Sequence, residues 1–300
     1  MKLVSAIIIT HNRLELVKRA IRSVQEQTYR NLELIVVDDA SSDGTKEWCE
    51  VQNFRFICIP KEESRGGNHA RNLGIEAAAG EYVAFLDDDD YWLPEKIEKQ
   101  VALIEEKNCK LVFCGERLEI VGRDGVTFGE RRPSRSHCGD VSKKILMTVA
   151  ATTSSNILAD RKAVIEAGLF DENLRCWQDY EFTIRMAQVT PFYYVDDLLT
   201  VYRVDPGDKN RLTGKFFVWQ EAVRYIRQKH AKLYAKLSFY QRLRAFWHVT
   251  NDASQRCKSA GLTSRYIYYS AVTFVLRLPF RVGKLLKERL HGRTGKKNSR

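Results

Sequence analysis

Four consecutive aspartates, Asp87-Asp88-Asp89-Asp90, follow the apolar run Tyr82 to Leu86 and precede Tyr91-Trp92-Leu93-Pro94. Like charges held this close raise one another's pKa and repel, so an uncompensated run at the end of a buried strand is costly. A hard divalent cation removes that cost. Mg2+ or Mn2+ takes one or two carboxylates together with phosphate oxygens and waters, which suits a diphosphate ligand. Alternate residues of an extended segment point the same way, which makes Asp87 and Asp89 a D-x-D pair. The competing reading is a solvated acidic turn in which Asp90 caps the following helix.

Three further clusters carry chemistry. In Asp38-Asp39-Ala40-Ser41-Ser42-Asp43-Gly44-Thr45, a carboxylate at a strand's end can accept from a nucleobase imide N–H or a ribose hydroxyl. Ser41 to Thr45 reads as turn and cap chemistry, with Asp43 as an N-cap. In Arg65-Gly66-Gly67-Asn68-His69-Ala70-Arg71, paired glycines open a helix whose backbone N–H groups and dipole favour an anion, with Arg71 about one turn in. Asp179, in Trp177-Gln178-Asp179-Tyr180-Glu181, stands at a helix start, where an isolated Asp reads first as an N-cap.

The elements that must position these groups alternate. The apolar run Val4–Ile9 is of strand length and reads as a strand buried on both faces; Leu32–Val37 reads as a second buried strand, and Phe54–Ile59 and Tyr82–Leu86 as a third and a fourth. Helical spacing follows each: Leu14 to Val24, Asp43 to Val51, Gly67 to Ala79, and a helix entered at Pro94 that runs to about Lys107. Leu111 to Val121 closes the repeat. This βαβα order predicts an α/β fold with a mostly parallel central sheet and helices on both faces. Ligands bind outside the carboxyl ends of such strands, and Thr10, Asp38/Asp39 and the Asp87–Asp90 run all fall there. Beyond it, 122–140 reads as a polar loop with a hairpin. Shorter elements are predicted at Asn156–Ala159, Arg161–Ala167, Asp179–Ala187, Phe192–Val195 and Leu199–Tyr202, with helices from Gly214 onward.

The 300 residues, 44% hydrophobic and 29% charged, suit a globular chain of one large domain with an extension. No run of about 18 apolar residues reads as a membrane-spanning helix, and the N-terminal run lacks a leader's cleavage site. Seven Cys without a C-x-x-C pair argue against zinc and a disulfide framework and for a reducing compartment. Residues 211–300 hold 21 Lys and Arg against Glu221, Asp252 and Glu288, a local charge of +18 beside −7 for the remainder.

Four ordered motifs resemble the family 2 glycosyltransferases of the GT-A (Rossmann-like) fold, which transfer a sugar from a nucleotide-diphosphate donor with inversion. They are Ile8-Ile9-Thr10-His11-Asn12-Arg13, Val36-Val37-Asp38-Asp39-Ala40-Ser41-Ser42-Asp43-Gly44-Thr45, Ala70-Arg71-Asn72-Leu73-Gly74 and Phe85 to Pro94. Weaker similarity continues through Ser154-Ser155-Asn156 and Trp177-Gln178-Asp179 to Tyr202-Arg203. The resemblance implies that Thr10, His11, Asn12 and Arg13 line the base pocket, with His11 where many relatives carry an aromatic residue. It also implies that Asp39 binds the nucleobase or ribose, Arg71 the base or diphosphate, and Asp87 or Asp88 the ribose. Asp89 would hold Mn2+ or Mg2+ and Asp179 would be the catalytic carboxylate. Arg203, Arg211, Ser155 and Trp177 would contribute diphosphate or acceptor contacts.

The expected organisation is a nucleotide-sugar-binding catalytic domain over 1–212 and a basic helical extension over 213–300. Interleaved aromatics and the basic tail make that extension read as a surface for an anionic membrane. The resulting expectation is a cytoplasmic enzyme, peripheral at the inner face of the cell membrane. Its donor would be a UDP-sugar and its acceptor a polyprenyl-diphosphate-linked saccharide of cell-surface polysaccharide (O-antigen, capsule or exopolysaccharide) synthesis. The alternative is a catalytically silent scaffold or lipid-surface module. Nucleic acid is excluded as a partner because the strand-end rim is acidic.

Overall fold

The computed structural model describes every residue except 123–124, 135–136, 149–152, 206, 208–214 and 295–300, with side chains described as far as residue 279. The chain divides into two compact units, Met1–Asn210 and Arg211–Arg300.

The first unit is built on one nine-stranded sheet. Strands β1 (Val4–Thr10), β2 (Leu32–Asp39), β3 (Arg55–Ile59) and β4 (Tyr82–Asp87) form its parallel half in the order β3-β2-β1-β4. Helices α1 (Leu14–Gln25), α2 (Thr45–Glu50) and α3 (Gly67–Ala77) are the crossovers, and α4 (Lys96–Glu106) follows β4 and the short strand β5 (Tyr91–Trp92). Side chains alternate along a strand. Val4, Ala6, Ile8, Val36, Ala84 and Leu86 therefore pack with Val17, Ile21 and Val24 of α1 and Ile97, Val101 and Ile104 of α4. The opposite face receives α3, whose Gly74 lies against Ile7 and Val37. Helices thus cover both faces.

Past β4 the sheet becomes mixed. Strand β8 (Ile157–Asp160) inserts between β4 and β6 (Leu111–Gly122), antiparallel to both, while β9 (Phe192–Val204) runs parallel to β6 and antiparallel to β5. Strand β7 (Gly125–Arg131) returns along β6 as the expected hairpin. The two strands expected at 192–195 and 199–202 are one. The ladder with β6 shifts register at Cys114/Gly115 and Gly115/Glu116, so Asp196 and Asp197 bulge out and interrupt the apolar pattern without ending the strand. Helices α5 (Arg161–Glu166) and α6 (Gln178–Met186) complete the unit, with Phe170 and Phe182 stacked at 4.4 Å beneath Phe85.

The second unit is helical: α7 (Phe216–Lys229), α8 (Ala231–Ala235), α9 (Phe239–Ser259) and α10 (Thr263–Thr294). Ser238 and Gln241 form a reciprocal capping box at the start of α9, satisfying two orphan donors. Ser254 meets Ser270 across α9 and α10. Along α10, Ile267, Tyr268, Phe274, Val275 and Leu278 are exposed at 61, 63, 61, 60 and 43%. Their spacing places them on one stripe.

At Gly74 helix α3 lies directly on Ile7 of β1. In an open helix, Gly→Ala gains about 1 kcal/mol. Here an added Cβ would fall inside van der Waals contact with Ile7 Cγ2, and overpacking costs about 1–3 kcal/mol. Gly74→Ala is therefore expected to lower the thermal unfolding temperature; a rise would mean that the interface has slack.

Candidate active site

Parallel pairing places Thr10 beside Asp38 and Ile9 beside Asp87, so the carboxyl ends of β2, β1 and β4 form one rim. Their loops are tied together. Asn12 donates its backbone N–H to Ser41 Oγ at 2.7 Å and accepts from the Ser42 N–H at 2.7 Å. His11 Nδ1 lies 2.5 Å from the Asp39 carbonyl oxygen and its Nε2 lies 3.0 Å from the Asn12 amide. A carbonyl only accepts, so Nδ1 carries the proton. Asp43 accepts from the N–H groups opening two helices, Leu14 at 3.0 Å and Thr45 at 3.2 Å. It is not the N-cap expected of it: that position in α2 is Gly44, in the left-handed region and without a side-chain cap, and Asp43 reaches the Thr45 N–H from one residue earlier. Asp38 is fully buried and bound by the Ser41 hydroxyl and N–H. Burial raises its pKa against those bonds. Asp39 differs: its Oδ1 is buried and has no hydrogen-bond partner among the described residues.

The aspartate run is not extended. Strand β4 ends at Asp87, and the chain turns so that the Asp90 N–H reaches the Asp87 carbonyl at 3.1 Å. The expected same-face D-x-D pair is thereby parted between two arginines. Asp87 pairs with the buried Arg71, which is also bound to Asn68 Oδ1 at 3.3 Å. Asp88 accepts from Thr10 Oγ1 and from Arg13 Nη1, both at 2.9 Å, and burial pushes its carboxyl up to about 6. Asp89 meets the same Arg13 nitrogen at 3.2 Å, and its carbonyl accepts from Arg19 at 2.7 Å. Asp90 does not cap α4, whose N-terminus has no side-chain cap. It is wholly buried, accepting from Ser155 Oγ at 2.6 Å and the Arg203 N–H at 3.1 Å. Burial, with Asp89 and Asp87 adding, holds its carboxyl far above the usual range.

Asp179 does not cap α6 either; that helix starts after Trp177 with no side-chain cap. Trp177 and Ala40 have φ of 58° and 62°, left-handed values that are strained for side chains of these types and concentrate where function demands them. Burial pushes the Asp179 carboxyl up to about 6; Arg71 opposes this, Asp87 adds to it, and Ser154 donates a hydrogen bond. Oδ1 of Asp179 has no hydrogen-bond partner among the described residues. Ser154 also lies 3.4 Å from Asp87, so one hydroxyl links the two carboxyls.

Four residues expected at the ligand occupy varied positions. Ser155 is fully buried, its hydroxyl shared between the Asp87 N–H at 3.1 Å and Asp90, so it supports the rim and cannot reach an acceptor. Arg203 pairs with Asp205 at 3.2 Å and Glu119 at 3.6 Å. Trp177 packs edge-on to Tyr180 at 4.9 Å. Arg211 lies outside the described residues.

Glu116 was not anticipated from the sequence. Its two oxygens take Arg131 Nη1 at 2.8 Å and Asn156 Nδ2 at 2.6 Å. The legible signal is a Glu directly after five buried positions of β6, opposite an Arg across a hairpin. Among the described residues no three His, Cys, Asp or Glu side chains converge as a metal cage. A Mg2+ or Mn2+ that takes one carboxylate and ligand phosphates needs none. Asp89, a hard oxygen donor 24% exposed on the rim, fits such a site.

Burial, with Asp179 adding and Arg131 opposing, pushes Glu116 up to about 7 from 4.5. A carboxyl raised in the fold keeps its proton where the unfolded chain has lost one. Its contribution is full below about pH 4.5 and declines as pH rises toward about 7. Glu116→Gln, which cannot ionise, is expected to remove that part of the decline in denaturant unfolding across the window. An unchanged slope would reject the buried-acid account.

A family model, Glycosyl transferase family 2, matches residues 5–166. The UDP-Glc:alpha-D-GlcNAc-diphosphoundecaprenol beta-1,3-glucosyltransferase WfaP of Escherichia coli is 40% identical over 130 residues, covering 43% of this chain and 51% of that protein. An uncharacterized glycosyltransferase of Rickettsia felis is 32% identical over 207 residues, 68% of this chain and 33% of its own length. The chain thus spans about a third to a half of these curated relatives. Among solved structures, Staphylococcus aureus TarS 1-349 in complex with UDP-GlcNAc superposes with a TM-score of 0.55 at 17% identity, covering 94% and 92% of the two chains. The mannosyltransferase PcManGT from Pyrobaculum calidifontis, in complex with GDP-Man and Mn2+, gives 0.56 at 19%, covering 98% and 86%. At such identity the likeness establishes the fold.

Proposed function

This chain belongs to glycosyl transferase family 2, and from that premise we propose that it moves a sugar, with inversion, from a UDP-sugar to a hydroxyl of a saccharide acceptor. The observation that carries the reading is the neighbourhood of Asp179, a carboxylate oxygen with no hydrogen-bond partner among the described residues, beside the buried Arg71 and the Asp87 it pairs with.

With a pKa of about 6, Asp179 is ionised at neutral pH and basic enough to take a proton from the acceptor hydroxyl as its oxygen attacks the anomeric carbon. One bond forms and one breaks, so no nucleophile from the protein is required. Asp39 offers its unpartnered oxygen to the base or ribose, and the loop of Thr10, His11 and Asn12 shapes the base pocket. Asp87 and Asp88 hold the rim on which the ribose sits, and Arg71 faces the departing diphosphate with its positive charge. Asp89 would hold Mn2+ or Mg2+, which as a Lewis acid stabilises charge on the leaving group. The intact aspartates weigh against a silent scaffold.

WfaP, by its name, acts on a diphosphoundecaprenol-linked sugar. That supports a polyprenyl-diphosphate-linked acceptor and a place in cell-surface polysaccharide synthesis. We assign catalysis to residues 1–212 and an inner-membrane surface to 213–300. Among the described residues no helix is long and apolar enough to cross a membrane. The exposed stripe of α10, with 18 excess positive charges over 211–300, suits a helix lying in an anionic interface.

Two experiments test these assignments. In a panel of UDP-, GDP- and dTDP-sugars with Mn2+, Asp179→Asn is expected to bind donor nearly as wild type and lose transfer, while Asp89→Ala weakens both. Wild-type turnover by the Asn variant would refute the base. In flotation with anionic vesicles at low salt, the full chain is expected to float and Phe274→Glu/Val275→Glu to remain behind. Equal flotation of the two would remove the stripe from the membrane contact.

A further inference from the structure

One carboxylate oxygen on the rim is contested. Arg13 Nη1 lies 2.9 Å from Asp88 Oδ1 and 3.2 Å from Asp89 Oδ2. The two arms are unequal. The Asp88 side chain is 7% exposed and also accepts from Thr10, whereas that of Asp89 is 24% exposed and holds the longer contact. Asp89 is also fixed through its backbone, by Arg19 Nη2 on its carbonyl at 2.7 Å. The Arg13–Asp89 arm can therefore be exchanged while Asp88 retains the guanidinium and Arg19 retains the main chain.

We propose that Arg13 and a divalent cation compete for Oδ2 of Asp89, so that the cation binds weakly alone and tightly once a nucleoside diphosphate is present. The inference rests on the reading of Asp89 as the cation's carboxylate. A guanidinium has five N–H donors in a planar fork and suits phosphate as well as carboxylate. Displaced from Asp89 but still held by Asp88, it can turn the N–H released from Asp89 toward a diphosphate oxygen. Donor and cation then favour each other's binding by the same factor. Arg13 thereby acts as a positioning residue that makes cation loading depend on the donor.

Mn2+ binding to the full chain, followed by the EPR signal of free Mn2+ with and without UDP, tests this in wild type, Arg13→Gln, Arg19→Gln and Asp89→Asn. Without UDP, Arg13→Gln is expected to bind Mn2+ about tenfold tighter than wild type, the weight of one charge-assisted hydrogen bond. UDP should then enhance its Mn2+ affinity less than it does in wild type. Arg19→Gln removes a neighbouring charge without freeing Oδ2, and should change the affinity less than about threefold. Arg13→Lys, with a single point donor, is expected between wild type and the Gln variant and serves if the latter melts early. Equal tightening in the Arg13 and Arg19 variants would reduce the effect to lost positive charge and overturn the competition. Unchanged or weaker binding by Arg13→Gln would overturn it too. If Asp89→Asn bound Mn2+ with UDP as wild type does, the assignment of Asp89 would itself fall, a result separable from the Arg13 arms.

Discussion

Four negative side chains at the end of one strand are the constraint around which the first unit is organised. Extended, they would place alternate charges together; the turn after Asp87 sends Asp87, Asp88 and Asp90 to different partners, with Asp89 sharing Arg13 with Asp88. Arg71 takes Asp87, Thr10 and Arg13 take Asp88, and Ser155 with the Arg203 N–H takes Asp90. These partners come from α3, the β1–α1 loop, the turn before β8, and β9. Satisfying the run thus pins four separate stretches of chain to one rim. The protein converts an electrostatic liability into a device for convergence, and leaves Asp87 and Asp89 as the two members that reach solvent, at 26% and 24%.

The same helix that supplies Arg71 also fixes the approach to Asp179. Asn68 Nδ2 donates to the carbonyls of Asp171 and Leu174, each at 2.8 Å, and Asn72 exchanges hydrogen bonds of 2.9 Å with both backbone groups of Phe170. Glu172 adds contacts to Asn72 and His69 at 3.0 and 3.2 Å. The segment entering α6 is therefore laced to α3 by backbone-directed bonds, which tolerate little displacement. The spacing of Arg71 and Asp179 follows from that lacing rather than from any direct contact. It also gives a physical reason for the amides at 68 and 72, which flank the arginine in the sequence.

What was legible in the sequence was local. Predominantly apolar segments announce β1, β2 and β4, and their polar ends announce the rim, because ligands of a parallel sheet bind outside the carboxyl ends of its strands. What escaped was set by pairing between distant segments. β8 cuts into the sheet as an antiparallel strand only four residues long, too short to declare its direction. Asp196 and Asp197 hid the continuity of β9, since a bulge and a loop look alike in one dimension. Asp90 and Ser155 looked like a cap and a ligand contact because nothing local reveals that they find each other across 65 positions. Glu116 escaped because its partners, Arg131 and Asn156, are non-local.

Asp179 and Glu116 sharpen the last step. Each is held with a raised pKa, to about 6 and about 7, so at neutral pH the fold bears the penalty of keeping a carboxylate where water is scarce. Structural needs do not require this at Asp179. A hydrogen bond from Ser154 satisfies one oxygen, the other has no donor among the described residues, and the helix it begins is not capped by it. Asparagine would fill the same volume without the penalty. Where a less costly residue would serve the fold, an expensive one points to chemistry that needs a charge able to accept a proton. The electrostatic cost of Asp179 is thus itself an argument for reactivity, independent of sequence similarity.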